Sequence, residues 1–215
     1  MAKVTFLTFN PFQENTYIVY DETGECILID PGCSDESENN ELMGTLQQLN
    51  LKPVRLLNTH CHIDHILGNK FVSETYHLPL EIHAGELGML ERGPTVAAMY
   101  GIPYSGLSPI PDHFIREGEE IIFGNTALKI LLTPGHSPAS LSFYCEKDHF
   151  LIAGDVLFKE SIGRTDLPGC NHDLLLASIR EKLFPLPDET IVWPGHGAYT
   201  TIGYEKRHNP FVGLS

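Results

Sequence analysis

Thr59-His60-Cys61-His62-Ile63-Asp64-His65 places three imidazoles and a carboxylate within residues 60–65. The stretch directly follows 54–57, a largely apolar run that reads as a buried strand. His60 and His62 are two apart, so a turn leaving that strand can aim both at one ion. Asp64 and His65 stand where a helix would begin, its apolar face supplied by Ile66, Leu67, Phe71 and Val72, and can aim at a second ion. Imidazole suits zinc, iron and similar metals, and a carboxylate suits the same ions when they carry water. A His-rich turn with satisfied hydrogen bonds is the plainer account. It suits one lone histidine better than H-x-H-x-D-H after a strand.

A chain of 215 residues can bury a real core and is expected to form one domain, 1–215, with room for an internal duplication. Its composition, 42% hydrophobic and 20% charged, is that of an ordinary globular enzyme. A net charge of -14 with no basic stripe argues against nucleic acid or an anionic membrane as partner. The pocket itself is another matter, since a bound metal dominates its own surroundings. Met1-Ala2-Lys3-Val4-Thr5 enters a strand-like pattern at once, so no signal peptide is expected. No apolar run approaches a membrane span. Cys26, Cys33, Cys61, Cys145 and Cys170 are odd in number and lack C-x-x-C spacing, which predicts reduced thiols and a cytoplasmic location. Cys61 lies between two proposed ligands and would point elsewhere if they converge.

In chain order, 3–8, 15–20 and 25–30 read as strands joined by turns at Asn10-Pro11 and Glu22-Thr23-Gly24. Asp30, closing the third, either orients the metal-ligand loop or caps its own turn. Helices are predicted over 37–50, 66–76 and 84–91, with a short strand at 80–83. Residues 92–112, rich in Gly and Pro, read as a long surface excursion. Met99, Tyr100 and Tyr104 within it either touch substrate or simply pack onto the body. Strands are predicted at 119–123, 127–132, 141–145, 150–153 and 190–193, and a helix at 173–183 with Asn171 as its N-cap. Strands, helix, strands, helix: this order predicts an α/β sandwich of two similar halves.

Three further polar residues stand just beyond predicted strands. His136 ends Thr133-Pro134-Gly135-His136, Asp155 follows Gly154, and His196 ends Pro194-Gly195-His196. In each case a glycine precedes the polar residue and lets the backbone turn sharply. A lone carboxylate at a buried strand end is costly unless a cation meets it. Singly, His136 and His196 read equally well as satisfied loop histidines. Together with the opening motif they supply donors for two ions.

T-H-C-H-I-D-H, then P-G-H, G-D and P-G-H in this order resembles the metallo-β-lactamase fold, and within it the glyoxalase II-like branch. The likeness covers nearly the whole chain, including F-x-E-N-x-Y-x-V at 12–19 and TTIGYEKRHNPF at 200–211. These end segments are similar to the short bacterial hydrolases that lack the C-terminal helical domain of full-length glyoxalase II. The resemblance implies an αββα sandwich with a binuclear metal site at one edge of the two sheets. It puts His60, His62 and His136 on one metal and Asp64, His65 and His196 on the other, with Asp155 bridging. Asp64 and Asp155 are thus the carboxylates expected to serve catalysis. Two divalent ions per chain are implied, zinc first, with iron or a mixture also found in the family.

Gly163-Arg164-Thr165-Asp166 bears on substrate. Full-length glyoxalase II enzymes carry Gly-Lys-Phe-Tyr here, where Lys and Tyr hold glutathione. Arg164 replaces that Lys and can still grip a carboxylate, and Asp166 replaces the Tyr. An internal Arg164–Asp166 ion pair is an equally good reading of the two residues. Persulfide dioxygenases, a sister branch using one iron, share G-R-T-D and an opening T-H-C-H-x-D-H. Ser137-Pro138-Ala139-Ser140 after His136 and Gly197-Ala198 after His196 depart from the family pattern without removing a ligand.

The implied chemistry is hydrolysis by a hydroxide bridging two metals, with the substrate oxygen leaning on one of them. A thiolate leaving group needs little acid assistance, because its thiol titrates near about 8.5. The expected activity is therefore cleavage of a small-molecule thioester such as S-lactoylglutathione. An iron-dependent persulfide dioxygenase using His60, His136 and Asp155 is the alternative. A non-catalytic binding module is disfavoured by the complete ligand set. A β-lactamase or an RNA-processing nuclease resembles the chain less.

Overall fold

The computed structural model describes residues 1–104 and 106–213. They divide into two compact units, 1–115 with 122–127 and 116–121 with 128 onward.

The first unit carries β1 (Lys3–Phe9), β2 (Glu14–Tyr20), β3 (Glu25–Ile29), α1 (Glu36–Gln48), β4 (Lys52–Leu57), α2 (Ile63–Ile66), α3 (Asn69–Tyr76), β5 (Leu80–Ile82), α4 (Leu87–Tyr100) and β6 (His113–Phe114). The six strands pair in sequence order. β1, β2 and β3 form an antiparallel meander, and β3 to β6 run parallel. Parallel neighbours need a crossover, and α1 supplies the one between β3 and β4. Asp35 caps α1 by accepting from Glu38 N at 2.9 Å, and Leu42 and Leu46 bury its inner face. The core gathers Ile18, Leu28, Leu56, Ile66, Val72, Leu80 and Ile82, all buried. The segment 122–127 belongs here because Asp21, just beyond β2, accepts from Asn125 N at 2.6 Å and from the Thr126 hydroxyl at 2.9 Å.

The second unit is built on another six-stranded sheet. Its elements are β7 (Glu120–Phe123) and β8 (Thr126–Leu132), of which 122–123 and 126–127 group with the first unit, then β9 (Leu141–Cys145), β10 (Phe150–Gly154), β11 (Leu157–Phe158), β12 (Ser161–Ile162), α5 (His172–Ser178), β13 (Ile191–Pro194), β14 (Thr200–Thr201) and α6 (Ile202–His208). The sheet order is β14-β13-β10-β9-β8-β7, and β11 pairs with β12 apart from it. β10 and β13 are parallel, with α5 in the crossover. Asn171 caps α5 as expected, accepting from Leu174 N at 3.0 Å. Leu151, Ala153, Leu175, Ile179, Leu183, Val192 and Ile202 form this unit's core.

Three elements differ from expectation. The predicted helix over 66–76 is two pieces, α2 and α3, broken at Leu67-Gly68. Gly68 N donates to Pro31 O at 2.7 Å, and a Cβ there would overlap Cys33 Sγ, so chain packing overrides helix continuation. Residues 92–112 are not one loop: α4 runs on to Tyr100 with Pro94 inside it. A buried stripe of Leu90, Gly93 and Ala97 holds it, and Gly101 ends it at φ 67°. Ser105 of the predicted excursion lies outside the described residues, as do residues 214–215 of the predicted domain. The predicted helix over 173–183 is α5 followed by a π turn, Ile179–Leu183. All five cysteines are free, and burial pushes the Cys26 and Cys33 thiols up to about 12. Among the described residues no helix is long and apolar enough to cross a membrane.

Candidate metal centre

Parallel strands end side by side, so a residue leaving β3 can reach the loop leaving β4. Asp30 does so. Its carboxylate accepts from Thr59 N at 2.6 Å, from the Thr59 hydroxyl at 2.5 Å and from His65 Nδ1 at 3.1 Å. Having given its proton to Asp30, the Thr59 hydroxyl accepts from His60 Nδ1 at 3.0 Å. Both imidazoles are thereby fixed with the proton on Nδ1 and the basic lone pair on Nε2. Asp30 holds φ 54°, a conformation that aspartate tolerates better than most residues. The loop-orienting role is the one its side chain performs.

The rest of the loop is held with equal care. Asn58 Nδ2 donates to His65 O at 2.8 Å, Asn10 Nδ2 to Asp64 O at 3.0 Å, and Cys61 N to the buried Glu86 carboxylate at 3.0 Å. The His60 ring lies 4.8 Å from His62 and 4.1 Å from His65, centroid to centroid. Asp64 Oδ2 is 3.7 Å from His65 Nε2. The first unit thus gathers His60, His62, Asp64 and His65. Cys61 is buried, and burial pushes its thiol well above its ordinary range.

In the second unit Asp155 directly follows β10, and His196 stands two residues beyond its parallel neighbour β13. Gly195 N donates to Gly154 O at 2.9 Å, tying the two loops together. Asp155 Oδ2 is 3.5 Å from His136 Nε2 and 3.5 Å from His196 Nε2, between the two rings. His136 Nδ1 donates to Arg164 O at 2.8 Å, so its basic nitrogen is again Nε2. Two glycines permit this packing. Gly135, at φ 132°, lies where a Cβ would overlap the Leu175 backbone, and a Cβ on Gly163 would overlap Asp155 O. The second unit thus gathers His136, Asp155 and His196.

The Arg164 guanidinium pairs with Asp166 at 2.7 and 2.8 Å, both side chains well exposed. Cys170 Sγ donates to His136 O at 2.7 Å. Met99 is exposed, Tyr100 packs edge-on against Phe12 with ring centroids 5.6 Å apart, and the Tyr104 hydroxyl meets Ser108 Oγ at 3.1 Å.

Histidines whose Nδ1–H is anchored on a carboxylate, hydroxyl or carbonyl stand in the ordinary posture of metal ligands. With nearby carboxylates, this N/O donor set fits divalent zinc or iron. The sequence did not single out Thr59, Asn58, Asn10, Glu86 or Glu14 as supports. The one visible trace was Glu14-Asn15-Thr16, three polar residues opening an otherwise apolar strand.

A family model described as the metallo-beta-lactamase superfamily matches residues 9–196. The chain is 37% identical to the probable metallo-hydrolase YqgX of Bacillus subtilis, over 94% of this chain and 93% of that protein. It is 35% identical to the hydroxyacylglutathione hydrolase GloC of Haemophilus influenzae, over 97% of each. Among solved structures it resembles the BLEG-1 B3 metallo-beta-lactamase (TM-score 0.87, 39% identity, 99% of each chain). It is similar to TTHA1623 in a di-iron-bound form (TM-score 0.86, 39% identity, 97% of this chain and 100% of that one). It is also similar to ETHE1 from Myxococcus xanthus (TM-score 0.79, 28% identity, 98% and 84%).

Proposed function

The chain belongs to the metallo-β-lactamase superfamily of metal-dependent hydrolases, and from that premise we propose that it is a thioesterase of the glyoxalase II type, cleaving S-lactoylglutathione or a related thioester. Its fold is the metallo-β-lactamase fold expected from the sequence, with its two sheets. The observation that carries the substrate class is the 35% identity with a hydroxyacylglutathione hydrolase across 97% of both chains.

In this reading both gathered sets would serve as metal donors. As the family resemblance implies, His60, His62 and His136 would hold one ion and Asp64, His65 and His196 the other, with Asp155 available to both. When bound, such a pair lowers the pKa of a water toward neutrality and polarises an acyl carbonyl. The chain's own residues prepare the donors. Asp30, Thr59 and the Arg164 carbonyl keep three Nδ1 protons in place, so Nε2 needs no rearrangement to bind. A thiolate departs without a proton, so the site needs no separate acid. Arg164 serves as a grip for a substrate carboxylate, exchanging Asp166 for it.

An iron-dependent persulfide dioxygenase is the second reading, supported by the likeness to ETHE1 and by Gly163-Arg164-Thr165-Asp166. Metal analysis and turnover separate the two. Two metals per chain and thioester cleavage that persists without oxygen and survives replacement of iron by zinc are expected. Oxygen uptake with glutathione persulfide, lost on zinc replacement and unaccompanied by thioester cleavage, would defeat the hydrolase reading. Cleavage of a β-lactam with no thioester turnover would keep the hydrolase and overturn the thioesterase assignment.

A further inference from the structure

Glu14 opens β2 and is fully buried. Its Oε2 accepts from the Thr16 hydroxyl at 2.9 Å. Its Oε1 makes no hydrogen bond among the described residues and stands 3.9 Å from His65 Nδ1. Thr16 Oγ1 in turn accepts from Gly32 N at 2.8 Å. Packing at Gly32 is tight: a Cβ there would overlap Glu14 Oε2 and come within 2.6 Å of Asn10 Nδ2 and 2.7 Å of Asp64 O. Glu14 is therefore wedged under the Asp64–His65 turn, on the same imidazole nitrogen that Asp30 holds at 3.1 Å.

A buried carboxylate with a single side-chain hydrogen bond is expensive, and the nearby buried Asp30 carboxylate makes it more so. A glutamine would fill the same space and still accept from Thr16. Burial pushes the Glu14 carboxyl well above its ordinary range, so what sets it apart from glutamine is geometry: Oε1 faces His65 Nδ1 as an acceptor, where a glutamine bonded to Thr16 would set an N–H donor against the ring N–H. We propose that Glu14 is a positioning residue for the ion assigned to Asp64 and His65: its acceptor oxygen beside Nδ1 backs the Asp30 hydrogen bond that fixes the Nδ1–H form of His65 and leaves Nε2 as the donor. The inference rests on the two-ion reading of the site.

The test is chelator competition with zinc on the full-length wild type, Glu14→Gln and Asp64→Asn, alongside melting of each in metal-free form. Wild type is expected to bind two ions, and Asp64→Asn identifies which affinity belongs to the second position. Glu14→Gln should weaken that same affinity by about tenfold to a hundredfold, leave the other unchanged, and melt no lower than wild type without metal. A purely structural role predicts the reverse, a lower metal-free melting temperature with unchanged affinities, and would overturn the inference. Should Glu14→Gln not fold, Glu14→Met fills a similar volume without a carboxyl acceptor and carries the same expectation. Wild-type binding of a single ion, unmoved by Asp64→Asn, overturns the underlying reading and the inference with it. Two ions in wild type and an unaffected Glu14→Gln overturn the inference alone.

Discussion

Arg164 offers its guanidinium to Asp166 and its carbonyl to His136 Nδ1, two contacts that one substitution can separate. The guanidinium beside Asp166 holds that carboxyl at about 2, yet both side chains are exposed, and an exposed pair adds little to stability. Arg164→Ala deletes the guanidinium and keeps the carbonyl, so the hydrogen bond from His136 stays. If the side chain binds a substrate carboxylate, KM should rise by about tenfold to a hundredfold with kcat and melting temperature unchanged. Steady-state kinetics with S-lactoylglutathione decides this, and an unchanged KM removes Arg164 from the substrate. The proposed ligands were legible because they stand in the loops that leave strands, three of the seven directly after glycine. The supports were not. Asp30 is the exception, since the sequence offered it as a residue that orients the loop; Asn10 and Glu14 lie far from that loop in sequence, and only the fold brings them to its Asp64–His65 turn.

Strand positions could be read from apolar runs with turn residues between them, and every sheet strand of four or more residues was anticipated. Helix continuity was harder to read, because it depends on tertiary contacts that local sequence does not contain. Gly93-Pro94 signals a break, yet α4 passes through it. The reason lies in packing: a Cβ on Gly93 would stand 3.1 Å from Ile66 Cδ1, so glycine lets α4 lie close to α2. The short pieces β6, β11, β12 and β14 carry no periodic signal at two residues each. Helix α6 was missed although Thr201 caps it, accepting from Tyr204 N at 3.2 Å, because it is only seven residues long. An element-level prediction follows from Pro94. Proline in a helix interior removes a backbone hydrogen bond and crowds the preceding turn, at a cost of about 3 kcal/mol. Its stiffening of the unfolded chain returns about 1 kcal/mol of that. Pro94→Ala should therefore stabilise the fold by about 2 kcal/mol, read as a higher denaturant midpoint. A lower midpoint would mean that α4 needs the proline's bend to place Leu90 and Ala97.

Across the whole chain the charge is -14, so its response to acid is set by which carboxyls titrate differently in the folded state. Asp21 is the instructive one. Burial alone would push its carboxyl up. Hydrogen bonds from Thr23 N at 2.9 Å, Thr23 Oγ1 at 2.5 Å, Asn125 N at 2.6 Å and Thr126 Oγ1 at 2.9 Å outweigh burial and hold it at about 2. The folded value lies below the unfolded one, about 3.9. The carboxylate therefore stabilises the fold fully above the unfolded value, and that contribution is lost as pH falls from about 4 through 2. Asp21 anchors 122–127 to the end of β2, so the loss should loosen the first unit at that point. Asp21→Asn keeps one acceptor and removes the charge. Compared in metal-free form, to keep acid release of metal out of the measurement, wild type and variant share every other carboxyl. The variant should melt lower than wild type at pH 6, and the two curves should converge as pH approaches 2. Parallel curves over that range would show that Asp21 does not carry this part of the acid sensitivity.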